Sequence, residues 1–374
     1  MMWQRLLFSL MLLLAWPALA HKASDSYLVL NVQGEQVIGQ WDIALRDIDF
    51  ALGLDADGNG DINWGELRAQ HANIAAWAMS ALTVSRGGAC PLQVTQHQVD
   101  DHTDGAYAVL RLAGTCPAST GDLGVNYRLL FDQDALHRGL LRLDLDGLTH
   151  SAVIAPDTAQ QTFKAGEVSL LAQFGQFFVQ GVWHIWIGFD HILFLLALLL
   201  PVVLVRERGR WRGVNRFGEA LHEVLWVVTS FTVAHSITLS LAALGWVSLP
   251  SRLVESAIAV SVVLAAANNL KPVINHRRWL VAFVFGLIHG FGFASVLADL
   301  GLPRDTLVLS LVGFNAGVEA GQLVIVAAFL PLAFALRHTA FYRQVIFVGG
   351  SLLTMAVALV WLAERVFELK LISA

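Results

Sequence analysis

The sequence predicts a two-part membrane protein: a β-sandwich-like periplasmic domain with an inserted EF-hand-like helix-loop-helix, followed by a six-helix transmembrane bundle. Three observations predict it. Of 374 residues, 56% are hydrophobic and only 14% charged, which is too apolar for a soluble protein and too long for membrane spans alone. Short alternating runs, broken by Gly, Asp, Asn and Pro, fill residues 24–154. Beyond them, apolar stretches long enough to cross a bilayer core recur to the end of the chain. The net charge of -5 is small and the basic residues are dispersed, so nothing suggests nucleic-acid binding.

Residues 1–20 read as a signal peptide, with Arg5 as the charged start, 6–16 as the apolar core and Ala18-Leu19-Ala20 as the cleavage site. Cleavage there makes His21 the first mature residue, whose α-amine and imidazole together suit capture of Cu²⁺ or Ni²⁺. The β-rich domain then covers 21–155. Its expected strands are 26–32, 37–44, 92–99, 106–112, 125–131, 140–145 and 149–154. Cys90 and Cys116, the only cysteines, lie in this exported part and read as one disulfide.

Residues 55–66, DADGNGDINWGE, match every fixed position of the calcium-loop pattern D-x-[DN]-x-[DN]-G-x5-E. Asp55, Asp57 and Asn59 offer side-chain oxygens, Asp61 its carbonyl, Asn63 a water-bridged contact and Glu66 a bidentate carboxylate, while Gly60 permits the sharp turn. Helical spacing on both sides predicts a helix-loop-helix that holds a structural Ca²⁺.

A polar linker, 156–166, leads to 167–181, where Ser169, Gln173, Gln176 and Gln180 share one face; this predicts an interfacial helix, with an N-terminal extension of the first span as the alternative. The membrane domain is 182–374, with spans expected at 182–204, 219–244, 252–270, 279–300, 307–336 and 344–364. Arginines and lysines cluster after spans one, three and five. The positive-inside rule therefore puts the soluble domain and the C-terminus on the periplasmic side of a bacterial inner membrane. Gly313, Gly317 and Gly321 form a doubled GxxxG on span five, a seam for close helix packing. Gly188-Phe189 against Gly290-Phe291 is a faint sign of an inverted repeat of three spans.

The first span carries His184, Asp190 and His191 where an anchor needs none, and an Asp at a span centre costs about 3 kcal/mol. On an unbroken helix, His184 and His191 share a face but lie about 10 Å apart along the axis. They are therefore expected to act as separate stations, His184 near the outer mouth beside Trp183 and Trp186, and Asp190 with His191 at mid-depth. Counting depth along the other spans brings His235, His289, Asn315 and Glu319 to the same level. Imidazole with carboxylate suits Ni²⁺, Co²⁺, Zn²⁺ or Fe²⁺, and no thiolates are present for copper(I).

The run His184, Ile185, Trp186, Ile187, Gly188, Phe189, Asp190, His191 resembles the H-P-x-x-G-x-D-H signature of the HupE/UreJ family of nickel and cobalt permeases, with Ile185 in place of proline. That family's second motif, F-H-G-x-A-H-G-x-E, is met in part by Ile288, His289, Gly290, Phe291, Gly292 and Phe293. His289 and Gly290 match, while the second histidine and the glutamate are absent. The resemblance covers the membrane half and implies a transporter of a divalent transition-metal ion, nickel or cobalt favoured, of the subgroup with an N-terminal extracytoplasmic domain. The partners expected are the lipid bilayer and the ion. Two other readings stand beside it: an intramembrane enzyme whose metal, held by His191, Asp190 and His289, activates water, and a membrane-anchored assembly or sensing protein.

Overall fold

The computed structural model describes residues 25–102, 105–207, 209–274, 277–292 and 302–367. The expected signal peptide, His21 and the second half of the fourth expected span lie outside the described residues.

Alternation decides the first half. In β1 (Asp25–Gln33) and β2 (Gln36–Ala44) the inward side chains Leu28, Leu30, Trp41 and Ile43 are fully buried. With β5 (Leu92–His102), β6 (Gly105–Thr115), β8 (Arg138–Leu145) and β9 (Leu148–Ile154) they form a six-stranded sheet in the order β5-β6-β2-β1-β8-β9. Its β1–β8 pairing is parallel and the others are antiparallel. A second sheet, β10-β7-β3-β4, unites β10 (Gln160–Phe163), β7 (Leu123–Tyr127), β3 (Leu82–Ser85) and β4 (Ala89–Cys90). The two sheets share one apolar core, to which Leu110, Leu141 and Leu143 come from the first and Val84, Leu123 and Val125 from the second. All seven expected strands are present. β3, β4 and β10 were not expected, because two to four residues are too few for alternation to register.

Between β2 and β3 lie α1 (Leu45–Leu52), the acidic loop, α2 (Trp64–Ala69) and α3 (His71–Ser80). Ile48, Leu67, Ile74 and Ala78 plug these helices into the same core. A disulfide joins Cys90 to Cys116, as the cysteine count predicted. Beneath Trp41 runs a buried chain of hydrogen bonds: the indole N–H donates to Ser26 Oγ, the Ser26 and Tyr127 hydroxyls bond at 2.5 Å, and the Tyr127 hydroxyl and His137 Nε2 bond at 2.7 Å. Burial holds His137 down at about 3, so its ring is neutral.

The outer face of the large sheet is apolar as well, because it sits on the membrane helices. Tyr27, Ala44, Tyr107, Leu140 and Val153 share a buried cluster with Phe177, Leu239, Leu307, Leu311 and Phe314.

The helical half opens with α4 (Leu170–Ile187), one continuous helix across the boundary expected at 181. This corrects the interfacial helix at 167–181. The amide of Gln173 is buried and donates to Ser151 Oγ at 3.1 Å, Ser310 Oγ at 3.2 Å and the Thr306 carbonyl at 3.3 Å, so protein groups and not headgroups satisfy it. α4 lies along α9 (Arg304–Leu336), on the expected glycine seam: a Cβ on Gly313 would meet the Phe174 carbonyl oxygen at 2.8 Å, and one on Gly317 would collide with that of Phe178.

α5 (Phe189–Leu199) follows α4 after a bend of 71°. It ends before Pro201, and the chain turns into a hairpin, β11 (Leu204–Glu207) with β12 (Arg210–Gly213), where the first span was expected to reach residue 204. Then come α6 (Phe217–Ala243), α7 (Ser251–Leu270), the short α8 (Arg278–His289), α9 and finally α10 (Gly350–Phe367), continuous with a π-wound stretch at Tyr342–Gly349. Among the described residues, four helices are long and apolar enough to cross a membrane, or five if the bent pair is one span; six were expected, and α8 is described over only twelve residues. α6 packs along α8 and α7 along α10.

Candidate metal centre

The site is built where the first span breaks. Gly188 has ψ 92, so its N–H still closes the last turn of α4 on the His184 carbonyl at 3.1 Å while the chain leaves the helix. Its carbonyl then accepts from Ile192 N at 3.0 Å and starts α5. Glycine is needed for close approach: a Cβ at this position would meet the His184 carbonyl oxygen at 2.7 Å and His191 Nδ1 at 2.9 Å. The bend turns the chain through 71°, and the His184 and His191 rings come to 4.6 Å between centroids. This overturns the two-station expectation. The 10 Å separation holds for a straight helix, and the helix is not straight.

Two more elements converge on this bend. α6 supplies His235, fully buried, with its ring 6.1 Å from His184 and 6.2 Å from His191. α8 ends on His289, also fully buried, 5.2 Å from His191. α5 supplies Asp190 in its first turn. Two triads offer ligand atoms within 4.8 Å of one another, His184 with His191 and His235, and Asp190 with His191 and His289, so His191 belongs to both.

Hydrogen bonds fix which nitrogen of three rings is left to bind. His191 Nδ1–H donates to Asp190 Oδ1 at 2.9 Å. His235 Nδ1–H donates to Asn315 Oδ1 at 3.4 Å, since the Asn315 amide nitrogen is spent on the Leu311 carbonyl at 2.8 Å. Ser261 on α7 gives its proton to the Ile258 carbonyl at 2.7 Å and so accepts from His289 Nε2–H at 3.0 Å. The opposite nitrogens, His191 Nε2, His235 Nε2 and His289 Nδ1, are buried without a hydrogen-bond partner. Orphaned buried acceptors cost free energy, and a metal ion satisfies neutral imidazoles that outer groups have oriented in this way.

The backbone reinforces the sign. α4 and α8 both end at the cluster, and the C-terminal end of a helix carries partial negative charge, which favours a cation. Phe194, Phe231 and Phe314 pack on His289, His235 and His184 and wall the site with apolar rings.

Of the residues expected from sequence, His184, Asp190, His191, His235 and His289 come together and Asn315 orients one of them. Glu319, one turn along α9, does not join them; its carboxylate accepts from Thr229 Oγ1 at 2.9 Å in a row of α6–α9 contacts that includes Thr232 to Gln322 at 3.1 Å. Ser261 was missed, and a lone serine in an apolar helix carries no signal of its role. Trp183 and Trp186 are half-exposed beside His184, and the Trp186 indole donates to the Gly321 carbonyl at 3.2 Å.

In the acidic loop, Asp55, Asp57 and Glu66 bring carboxylate oxygens within 4.8 Å of one another. Asp55 accepts from the backbone N–H groups of Gly58, Asn59 and Gly60 at 2.8–3.1 Å, with the Gly60 bond foremost in holding its carboxyl below the usual range. Glu66 closes the loop by accepting from Ala56 N and Asn63 N, both at 3.0 Å, while Asn63 caps α2. Asn59 accepts from Asp61 N at 2.7 Å. The ligand types fit a hard, oxygen-seeking cation.

Apolar helices around a cluster of histidines and one carboxylate, with a β-rich domain seated at one end, define an integral membrane protein. The family model described as HupE / UreJ protein matches residues 159–365, which is the whole of this helical part, and the chain belongs to that family. No curated protein matches the chain.

Proposed function

We propose that the chain is an inner-membrane permease for a divalent transition-metal ion, with nickel or cobalt favoured. The observation that carries the reading is the convergence of three buried imidazoles with an unpartnered nitrogen each, those of His191, His235 and His289, with His184 and the Asp190 carboxylate at the break of the first span. Nitrogen donors with a single carboxylate select borderline ions over Mg²⁺ and Ca²⁺, which require oxygen shells. One carboxylate leaves a bound dication with residual positive charge, so the ion is held firmly enough to lose water and weakly enough to leave. Sharing of His191 by two triads gives the ion two adjacent positions, and passage from one to the other needs only exchange of the remaining ligands. The β-rich domain faces the periplasm, in keeping with the signal-like leader and the disulfide, and its acidic loop holds a structural Ca²⁺. Uptake of Ni²⁺, Co²⁺, Zn²⁺, Fe²⁺ and Mn²⁺ by cells with and without the protein tests the proposal. Accumulation of nickel or cobalt that His191→Ala removes is expected, and equal uptake of all five ions with and without the chain rejects it.

The Asp190, His191 and His289 triad favours a second reading, since two histidines and a carboxylate with open positions also make a hydrolytic zinc site. Purified protein that retains one Zn²⁺ per chain through chelation supports the enzyme. Rapid exchange of the ion supports the permease.

A further inference from the structure

Far along the chain from the membrane centre, a second pair of imidazoles meets. His71 opens α3, just past the helix that leaves the acidic loop, and His97 lies midway along β5, the edge strand of the large sheet. Their rings stack with centroids 4.5 Å apart and planes 13° apart. The contact is held from both sides. Ile74 and Ala78, buried in the domain core, fix α3 over the sheet, and the bulge between Val94 and Gln96 re-aims the β5 side chains that follow it. The Trp64 ring stands edge-on to His71 at 6.1 Å.

His71 Nε2 is buried with no hydrogen-bond partner. Such an atom costs free energy, a penalty that a leucine or phenylalanine in its place would not incur. Two stacked imidazoles give each other no hydrogen bond in return. What they do offer is two nitrogen donors from distant parts of the chain, brought side by side on a preformed scaffold. Burial first, and then the neighbouring His71, hold His97 below the ordinary histidine range, so it presents a lone pair at neutral pH.

We propose that His71 and His97 form a second, extracytoplasmic site for a borderline divalent cation such as Ni²⁺, Co²⁺, Cu²⁺ or Zn²⁺, with water completing the coordination. Metal–nitrogen bonds of about 2.0–2.1 Å require the two donor atoms to lie roughly 3–4 Å apart. Rings whose centroids lie 4.5 Å apart are close to that separation, and rotation about the side-chain bonds is the movement that binding asks of them. The site is independent of the transport reading, because neither residue lies in the membrane half.

Equilibrium dialysis of the purified full-length protein against Ni²⁺ tests it, with millimolar Ca²⁺ present so that the acidic loop does not take up the probe. His97→Gln is introduced into the wild type and into a His191→Ala background. The expected result is one equivalent of Ni²⁺ lost through His97→Gln in each background, whatever His191→Ala does by itself. An unchanged stoichiometry in both backgrounds overturns the site and leaves the membrane centre untouched. A measurement without substitution runs in parallel: Ni²⁺ is expected to protect His71 and His97 together from diethyl pyrocarbonate, and unchanged modification rates at both overturn the proposal.

Discussion

The acidic loop and the membrane centre are candidate ion sites built on opposite plans. The acidic loop collects its oxygens from twelve consecutive residues at the surface, and its carboxylates are satisfied by the loop's own backbone amides. The membrane centre collects its nitrogens from α4, α5, α6 and α8 and leaves those of His191, His235 and His289 buried without a hydrogen-bond partner. A contiguous exposed loop gains an ion at little structural expense and loses it as easily. A buried centre assembled from several helices is poised for an ion in a way that water and backbone do not mimic, and every helix that forms it is tied to the others through it. The difference teaches that a site's role follows from what satisfies its donors when no ion is there.

The largest expected effect attacks the shared ligand. His191→Ala or Asp190→Asn should abolish uptake while leaving expression and membrane insertion intact, because each removes a donor or orienting group from the cluster. Unchanged uptake in both variants would sink the permeation role. Next is the bend. A methyl group at Gly188 meets the His184 carbonyl oxygen at 2.7 Å and His191 Nδ1 at 2.9 Å, so Gly188→Ala should lower uptake on the order of 100-fold by moving both rings. If Gly188→Ala transports normally, the close approach is not what holds the site together.

How much of this was legible in the sequence depends on locality. The meeting of Asp55, Asp57 and Glu66 was legible, since all three lie within one pattern. The seven longer strands were legible from alternation. Asp190, His191, His235 and His289 were legible because polar groups in an apolar helix need a reason. The placement of His184 was wrong because periodicity assumes a straight helix, and nothing in a 3.6-residue period records that Gly188 takes ψ 92. The glutamines of α4 misled for a related reason: a polar face reads as solvated, yet Gln173 finds its partners on β9 and α9. Glu319 shares its depth with Asn315 but faces Thr229, and depth counting does not resolve direction around a helix axis.

A smaller effect separates orientation from ligation. Ser261 touches no ion in the proposed arrangement; it accepts from His289 and thereby frees the Nδ1 lone pair. Ser261→Ala should weaken metal affinity about 10-fold, in the range of lost outer-shell partners, and Ser261→Thr should restore most of it. Equal losses in the alanine and threonine variants point to packing alone.

The two halves should also part company in acid. His137 titrates near 3 in the fold against 6.5 for the ordinary side chain, so the unfolded chain binds the extra proton first. The stabilisation it contributes is complete above about pH 6.5 and declines as pH falls toward the folded value, at up to ~1.4 kcal/mol per pH unit. Thermal unfolding of the β-rich domain, followed in the full-length protein between pH 7 and 4, should show this decline, and His137→Phe should flatten it. A slope identical in the variant assigns the acid lability elsewhere.

The smallest effect concerns the loop. Extracellular calcium loops of this class have Kd of about 10⁻⁴ to 10⁻³ M, so 2 mM Ca²⁺ stabilises the domain by about 0.6–1.8 kcal/mol. For a domain of this size that corresponds to roughly 2–6 °C. Glu66 supplies the bidentate grip, but without an ion its two oxygens already hold Ala56 N and Asn63 N. Glu66→Gln keeps one acceptor oxygen for those bonds and removes the charge, so the calcium-free melting temperature should change little while the calcium-induced rise disappears. Asn63→Ala serves as the contrast: it removes the cap of α2, whose side chain accepts from Gly65 N and Glu66 N, and should lower stability with and without calcium alike. A wild-type protein whose melting temperature is indifferent to millimolar Ca²⁺ rules out the structural ion, and the loop would then be held by its own amides alone.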